Sequence, residues 1–115
     1  MTTIGRSELK NLIENQGDFL LLNVLSSTSF SDKHIPGSIN VPISDSNFVT
    51  RVTTLAKGLD RKIVVYCGSR ECDASHMAAD QLEKAGFANV LRYEGGLADW
   101  EKSGLPVEGL TVGVS

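Results

Sequence analysis

Lys62-Ile-Val-Val-Tyr-Cys67-Gly-Ser-Arg-Glu-Cys-Asp-Ala-Ser75 contains the change of pattern that decides the fold. Residues 63–66 are an unbroken apolar run, bounded by charge before and small polar residues after. Such a run reads as a strand buried on both faces, as a covered parallel sheet requires. From Ala74 the period changes. Ala74, Ala78, Leu82 and Ala85 recur at helical spacing, Asp80, Glu83 and Lys84 take the other side, and Gly86 stops the helix. Cys67 is therefore expected at the carboxyl end of a central strand, on a tight loop that feeds a helix N-terminus. Ligands of open α/β sheets bind at that edge. Loop N–H groups and the helix dipole favour an anion there, so Cys67 is expected as a nucleophilic thiolate. The competing reading is an inert, buried small hydrophobe. A sulfur covered by apolar side chains, with no ring of amides around it, would remove this electrostatic ground for an enzyme.

Composition narrows the class. A length of 115 residues suits one domain, and 41% apolar content supports one modest core. The net charge of −3, with both signs interspersed, argues against a nucleic-acid or anionic-membrane binder. No apolar run reaches membrane-spanning length, and Met-Thr-Thr-Ile-Gly-Arg lacks the apolar stretch of a signal peptide. Two closely spaced cysteines make a poor disulfide framework for an exported domain. A soluble, cytoplasmic protein is expected. No internal repeat or low-complexity segment is visible.

The flanking chain alternates helix and strand. Ser7-Glu-Leu-Lys-Asn-Leu-Ile-Glu14 reads as a helix with Leu9, Leu12 and Ile13 inward and Ser7 as N-cap; Gly17-Asp18 ends it. Residues 19–24 are a second apolar strand. Residues 25–33 are rich in Ser and Thr, with one helical turn carrying Phe30. Pro36-Gly37 is a turn, and residues 38–41 a short strand stopped by Pro42. Ser44 or Asp45 caps a helix with Phe48, Val52 and Leu55 inward, Val49 and Ala56 beside them, and Gly58 closing it. Residues 89–93 are a fourth strand, Glu94-Gly95-Gly96 a flexible turn, and residues 97–102 a helix with Leu97 and Trp100 inward and Gly104 as its stop. From Leu105 the chain reads as a loosely attached end; the domain is set at 1–106 and a tail at 107–115. This alternation predicts an α/β domain with a mainly parallel sheet.

Three segments together resemble the rhodanese domain family, over residues 4–106. His34-Ile-Pro-Gly-Ser-Ile-Asn-Val-Pro42 is similar to the family's G-H-I-P-G-A-x-N-I-P segment. Ile63-Val-Val-Tyr-Cys67 looks like the strand leading into its active-site cysteine. Tyr93-Glu-Gly-Gly-Leu-Ala-Asp-Trp100, followed by Gly104-Leu-Pro106, is similar to its G-G-x-x-x-W ending. The resemblance implies a central five-stranded sheet flanked by helices on both faces. It also implies sulfurtransferase chemistry: Cys67 takes a sulfane sulfur from thiosulfate or a persulfide, carries it as a persulfide, and passes it to a thiol or cyanide-type acceptor. No metal or organic cofactor is implied. A cradle of loop N–H groups and a helix dipole would stabilise the anionic persulfide and leaving group.

The sequence also departs from the family. The expected substrate loop, Gly68, Ser69, Arg70, Glu71, Cys72 and Asp73, is longer than usual before Ser75. The family's Asp-Val-Arg after the first long strand is Asn23-Val24-Leu25. A longer loop is similar to that of rhodanese-fold phosphatases, but those need an oxyanion-gripping Arg where this chain has Asp73. Glu71 and Asp73 lower the positive potential of the loop, so a small-molecule or protein persulfide is expected to serve better than free thiosulfate. Three readings stay open for Cys72: a bystander, a thiol that resolves Cys67 into a disulfide, or the nucleophile itself. The strand-end position favours Cys67 as the nucleophile. Arg70 is read as gripping the donor, His34 as supporting its turn, and His76 as a surface residue. Gly95-Gly96 is read as backbone geometry near the site. A zinc site is set aside, because Cys67, Cys72 and His76 supply only three ligands on a short loop. The alternative to an enzyme is a rhodanese-fold redox-sensing or partner-binding module working through Cys67–Cys72 oxidation.

Overall fold

A computed structural model describes residues 1–15 and 17–110. Its elements alternate: β1 (Thr2–Ile4), α1 (Arg6–Glu14), β2 (Phe19–Asn23), α2 (Ser27–Asp32), β3 (Ile39–Asn40), α3 (Phe48–Ala56), β4 (Lys62–Tyr66), α4 (Ala74–Lys84), β5 (Val90–Tyr93) and α5 (Gly96–Lys102). The five strands form one sheet in the order β1-β5-β4-β2-β3, and every pairing is parallel. The strand expected to be central is central: β4 pairs with β2 on one side and β5 on the other. The five-stranded parallel architecture with helices on both faces is thus as the resemblance implied.

The period of two along β4 sorts its residues between two cores. Ile63, Val65 and Cys67 face a core shared with Leu20, Leu22 and Val24, covered by Phe48, Val52 and Ala56 of α3 and by Ala78, Ala79 and Leu82 of α4. Val64 and Tyr66 face the other core, with Ile4, Leu21 and Tyr93, covered by Leu9 of α1 and Trp100 of α5. Covered on both faces, these strands read as continuous apolar runs.

Several element ends differ from the sequence reading. Ser7 lies inside α1; the N-cap is Gly5, whose N–H donates to Glu8 Oε1 at 3.3 Å. The N-cap of α3 is Asn47, while Asp45 shapes the preceding turn by accepting the Asn47 N–H at 2.8 Å. That helix closes on Lys57 in a left-handed conformation, φ 63°, one residue before Gly58. Ala85 is the exposed C-cap of α4, and Ser75 and Ala79 are buried in its place. β1 was not visible in the sequence, because it is three residues long with two of them exposed. The described part of the end from Leu105 is docked. Glu108 and His34 exchange both backbone hydrogen bonds, Leu110 N–H donates to the Ser31 carbonyl, and Leu105 and Val107 pack on the second core. Residues 111–115 of the expected tail lie outside the described residues.

Tyr66 ties the sheet to the Pro36-Gly37 turn. Its buried hydroxyl accepts from Asn23 Nδ2 at 3.1 Å and from Ile35 N–H at 3.0 Å. Ser38 Oγ lies 2.6 Å from the Ile35 carbonyl and donates to it, so at 2.8 Å it accepts the Tyr66 proton. Every donor and acceptor of the hydroxyl is thereby used. Burial raises the phenol above its usual value of 10.0, opposed by the bonds that Asn23 and Ile35 donate to its oxygen. Tyr93 is raised as well, first by burial and then by the Asp99 carboxylate that accepts its proton at 2.6 Å. In the unfolded chain both phenols ionise near 10.0, while the folded protein keeps their protons, so their contribution is full below that pH and lost above it. Tyr66→Phe should cost about 1–3 kcal/mol, from three polar groups left without their partner. Urea unfolding at neutral pH checks the cost. Repeated above pH 10, it should show the wild type losing stability more steeply than the variant.

Candidate active site

Because all strands run parallel, their carboxyl ends share one edge, and the expected site residues collect there. Cys67 follows β4, Val24 follows β2, and Glu94 and Gly95 follow β5. Residues 67–73 then form the loop into α4. Gly68, Ser69 and Cys72 are half-buried; Arg70, Glu71 and Asp73 are exposed. Asp73 is the N-cap residue of α4, and its carbonyl accepts the Met77 N–H at 3.0 Å.

Cys67 is 1% exposed and is bonded to Cys72, with their Cα atoms 6.4 Å apart. The polar neighbours of its Sγ are the Cys72 carbonyl at 3.3 Å, the Ser75 hydroxyl at 3.4 Å and the Ser69 carbonyl at 4.0 Å. No backbone N–H of a described residue donates to it. The expected ring of amides around a thiolate is therefore corrected: in this disulfide state the sulfur sits under the loop, next to carbonyls. The physical reason lies in the loop's own bonds. It folds back so that Cys72 N–H donates to the Ser69 carbonyl at 3.2 Å, which brings the two sulfurs together.

Gly95-Gly96 does shape the backbone beside the site. The first N–H groups of α5 clamp the start of the loop: Leu97 N–H donates to the Cys67 carbonyl at 2.9 Å and Ala98 N–H to the Gly68 carbonyl at 2.8 Å. This close approach needs Gly96, which has φ +70° and lies where a Cβ would meet the Cys67 carbonyl oxygen at 2.7 Å. Asn23, standing where the family has Asp, is buried; its Oδ1 accepts the Leu25 N–H at 3.0 Å and its Nδ2 serves Tyr66.

Beside the loop lies a cleft of about 420 Å³, whose walls include Arg6, Glu8, Arg70, Tyr93, Glu94 and Asp99. Cys67 is not among its walls. Arg6 pairs with Asp99 at 3.0 Å, whereas Arg70 makes no ion pair or hydrogen bond with a described residue. The cleft thus carries two cations against three carboxylates. His76 is exposed on α4 and makes no ion pair or hydrogen bond of its own with a described residue, although it lies one turn from the Asp80–Lys84 pair and helps to lower the Asp80 carboxyl. His34 supports its turn by stacking on Phe30 at 3.8 Å between ring centres, with Nδ1 2.7 Å from the Phe30 carbonyl. Among the described residues, no three His, Cys, Asp or Glu side chains gather as a metal site.

Arg92 was missed in the sequence. It lies in β5, opposite Val65 of β4, and its Nε donates to Ser75 Oγ at 3.0 Å. The available signal was a lone cation inside the otherwise apolar run 90–93, which needs a polar partner when folded.

Fold and site together define an all-parallel α/β domain with a cysteine loop on its central strand. The chain belongs to the rhodanese-like domain family, whose model matches residues 6–103. It is 36% identical, over 96% of its length, to an HTH-type transcriptional regulator of Mycobacterium tuberculosis, of which it covers 46%. It is 27% identical to a sulfurtransferase of Allochromatium vinosum, over 90% of this chain and 92% of that one. The solution structure of a rhodanese-like domain from Anabaena superposes with a TM-score of 0.85 at 30% identity, covering 100% of this chain and 84% of that one. The chain spans only 46% and 54% of the first curated relatives it matches. No helix among the described residues is long and apolar enough to cross a membrane.

Proposed function

We propose that the protein is a sulfurtransferase working through a Cys67 persulfide. The observation that carries this reading is Cys67 at the carboxyl end of the central strand, with Ser75 Oγ 3.4 Å from its sulfur. A thiol reductant first opens the Cys67–Cys72 bond and is itself oxidised to a disulfide. The Cys67 thiolate then attacks the outer sulfur of the donor. A new S–S bond forms, the donor's S–S bond breaks, and its electron pair leaves on a thiolate or on sulfite. An acceptor thiolate attacks the outer sulfur of the Cys67 persulfide and regenerates the Cys67 thiolate. No metal or organic cofactor takes part in these steps. We place this chemistry in the cytoplasm, whose thiol pools keep such a pair reduced.

A persulfide on a small thiol, or on a donor protein, fits the site better than thiosulfate does. Glu71 and Asp73 on the loop, with Glu8, Glu94 and Asp99 in the cleft, repel a dianion; Arg70 grips the donor against them. The purified, reduced protein should gain one sulfur atom from glutathione persulfide much faster than from thiosulfate, as read by intact mass. High thiosulfate:cyanide turnover would contradict the donor preference, and no persulfide from any donor would overturn the sulfurtransferase reading.

A second reading rests on the Cys67–Cys72 bond itself and on the likeness to a transcriptional regulator. Here the domain is a redox-sensing or partner-binding module, with Cys72 resolving Cys67. Reversible disulfide formation without sulfur transfer supports it, while a persulfide discharged by thiols supports the first.

A further inference from the structure

We propose that Arg92, acting through Ser75, is a positioning residue that sets the acidity of Cys67. This rests on Cys67 being the nucleophile and supplies what the absent amide ring does not. Ser75 is 1% exposed, in the first turn of α4. Among the described residues its hydroxyl has two partners: Arg92 Nε at 3.0 Å and Cys67 Sγ at 3.4 Å. A guanidinium can only donate, so Ser75 Oγ must accept from Arg92. Its own hydrogen is thereby turned away from the arginine, and the sulfur is the partner left for it. Once the Cys67–Cys72 bond is reduced, the hydroxyl donates to the Cys67 thiolate while a permanent cation stands behind it. Hydrogen bonding to the charged form, and an opposite charge nearby, both favour that form.

The surroundings single out this chain of bonds. The charged or titratable side chains on the elements around Cys67 are Lys62 and Tyr66 on β4, Arg70, Glu71, Cys72 and Asp73 on its loop, His76, Asp80, Glu83 and Lys84 on α4, Arg92 and Tyr93 on β5, Asp99, Glu101 and Lys102 on α5, and Arg51 on α3. Arg70, Glu71, Asp73 and His76 are exposed. Asp80 pairs with Lys84, and Asp99 is held by Arg6 and Tyr93. Among the charged groups, Arg92 alone connects to the sulfur through hydrogen bonds seen here.

The experiment follows the rate of iodoacetamide alkylation against pH in reduced protein carrying Cys72→Ser, so that one thiol is read. Arg92→Gln and Ser75→Ala should each raise the alkylation midpoint by roughly one pH unit, about a tenfold loss of thiolate below the midpoint. Ser75→Ala with Arg92→Gln should shift it no further than either alone. Arg92→Lys, which keeps the charge, should restore part of the shift, and Ser75→Thr, which keeps the hydroxyl, most of it. Thermal melting confirms that each variant is folded; if either removal variant is not, its conservative partner against the parent gives the comparison. An unchanged midpoint, or a full Arg92 effect surviving in Ser75→Ala, overturns the proposal. Alkylation needs no sulfur donor. A normal, Arg92-dependent midpoint in a protein that never forms a persulfide would instead sink the sulfurtransferase reading alone.

Discussion

Cys67→Ser should reduce persulfide formation to background, whichever donor is offered. The thiolate supplies the electron pair for the new S–S bond, and a serine hydroxyl stays protonated and unreactive toward sulfur in this range. The fold should survive the change. The new hydroxyl would sit beside the Cys72 and Ser69 carbonyls, which already lie 3.3 and 4.0 Å from the sulfur and can accept its proton. Cys72→Ser is the informative companion. It removes the disulfide but leaves Cys67 on its strand end, so persulfide should still form and should persist longer, with no neighbouring thiol to attack it. Intact mass after donor treatment reads both variants. Persulfide retained by Cys67→Ser and lost by Cys72→Ser would transfer the nucleophile to position 72.

Gly96→Ala should produce the largest loss among glycine substitutions at the site. Two costs combine there. A residue with a Cβ at φ +70° pays about 1–2 kcal/mol for a left-handed backbone. The added carbon would also lie 2.7 Å from the Cys67 carbonyl oxygen and 2.8 Å from the Ser69 nitrogen, both backbone atoms that cannot swing aside. Forcing them apart adds roughly 1–3 kcal/mol and displaces the loop that carries the sulfur. A total near 2–5 kcal/mol is expected, with sulfur transfer impaired in whatever protein remains folded. Gly37→Ala separates the two costs, because Gly37 has φ +86° and nothing within 4 Å of the added carbon. Equal destabilisation of the two variants, by urea midpoint, would show that contact with the loop contributes nothing.

The architecture was legible because its main signals are local. The runs at 19–22 and 63–66 are apolar without alternation, as a sheet covered on both faces requires. Gly86 and Gly104 stop their helices as read, both at positive φ. What stayed hidden depends on partners distant in sequence. β1 exists because Thr2, Thr3 and Ile4 pair with Leu91, Arg92 and Tyr93, and nothing in three residues announces that. The end from Leu105 looked loose because its anchors, His34 and Ser31, lie far back in the chain. At the site, Cys67 was placed correctly on its strand, but the orientation of the peptides around it was not. Loop composition gives the number of N–H groups, not the direction in which they point. Arg92 escaped for a related reason: its significance arises only when β5 lies beside β4 and brings it to Ser75.

The clamp between α5 and the cysteine loop has a consequence for observation in solution. The hydrogens on Leu97 and Ala98 nitrogen are held by the carbonyls of residues 67 and 68, and as first-turn groups they have no partner inside their own helix. Their exchange with deuterated solvent is therefore a meter of how often the loop lifts, readable without touching either sulfur.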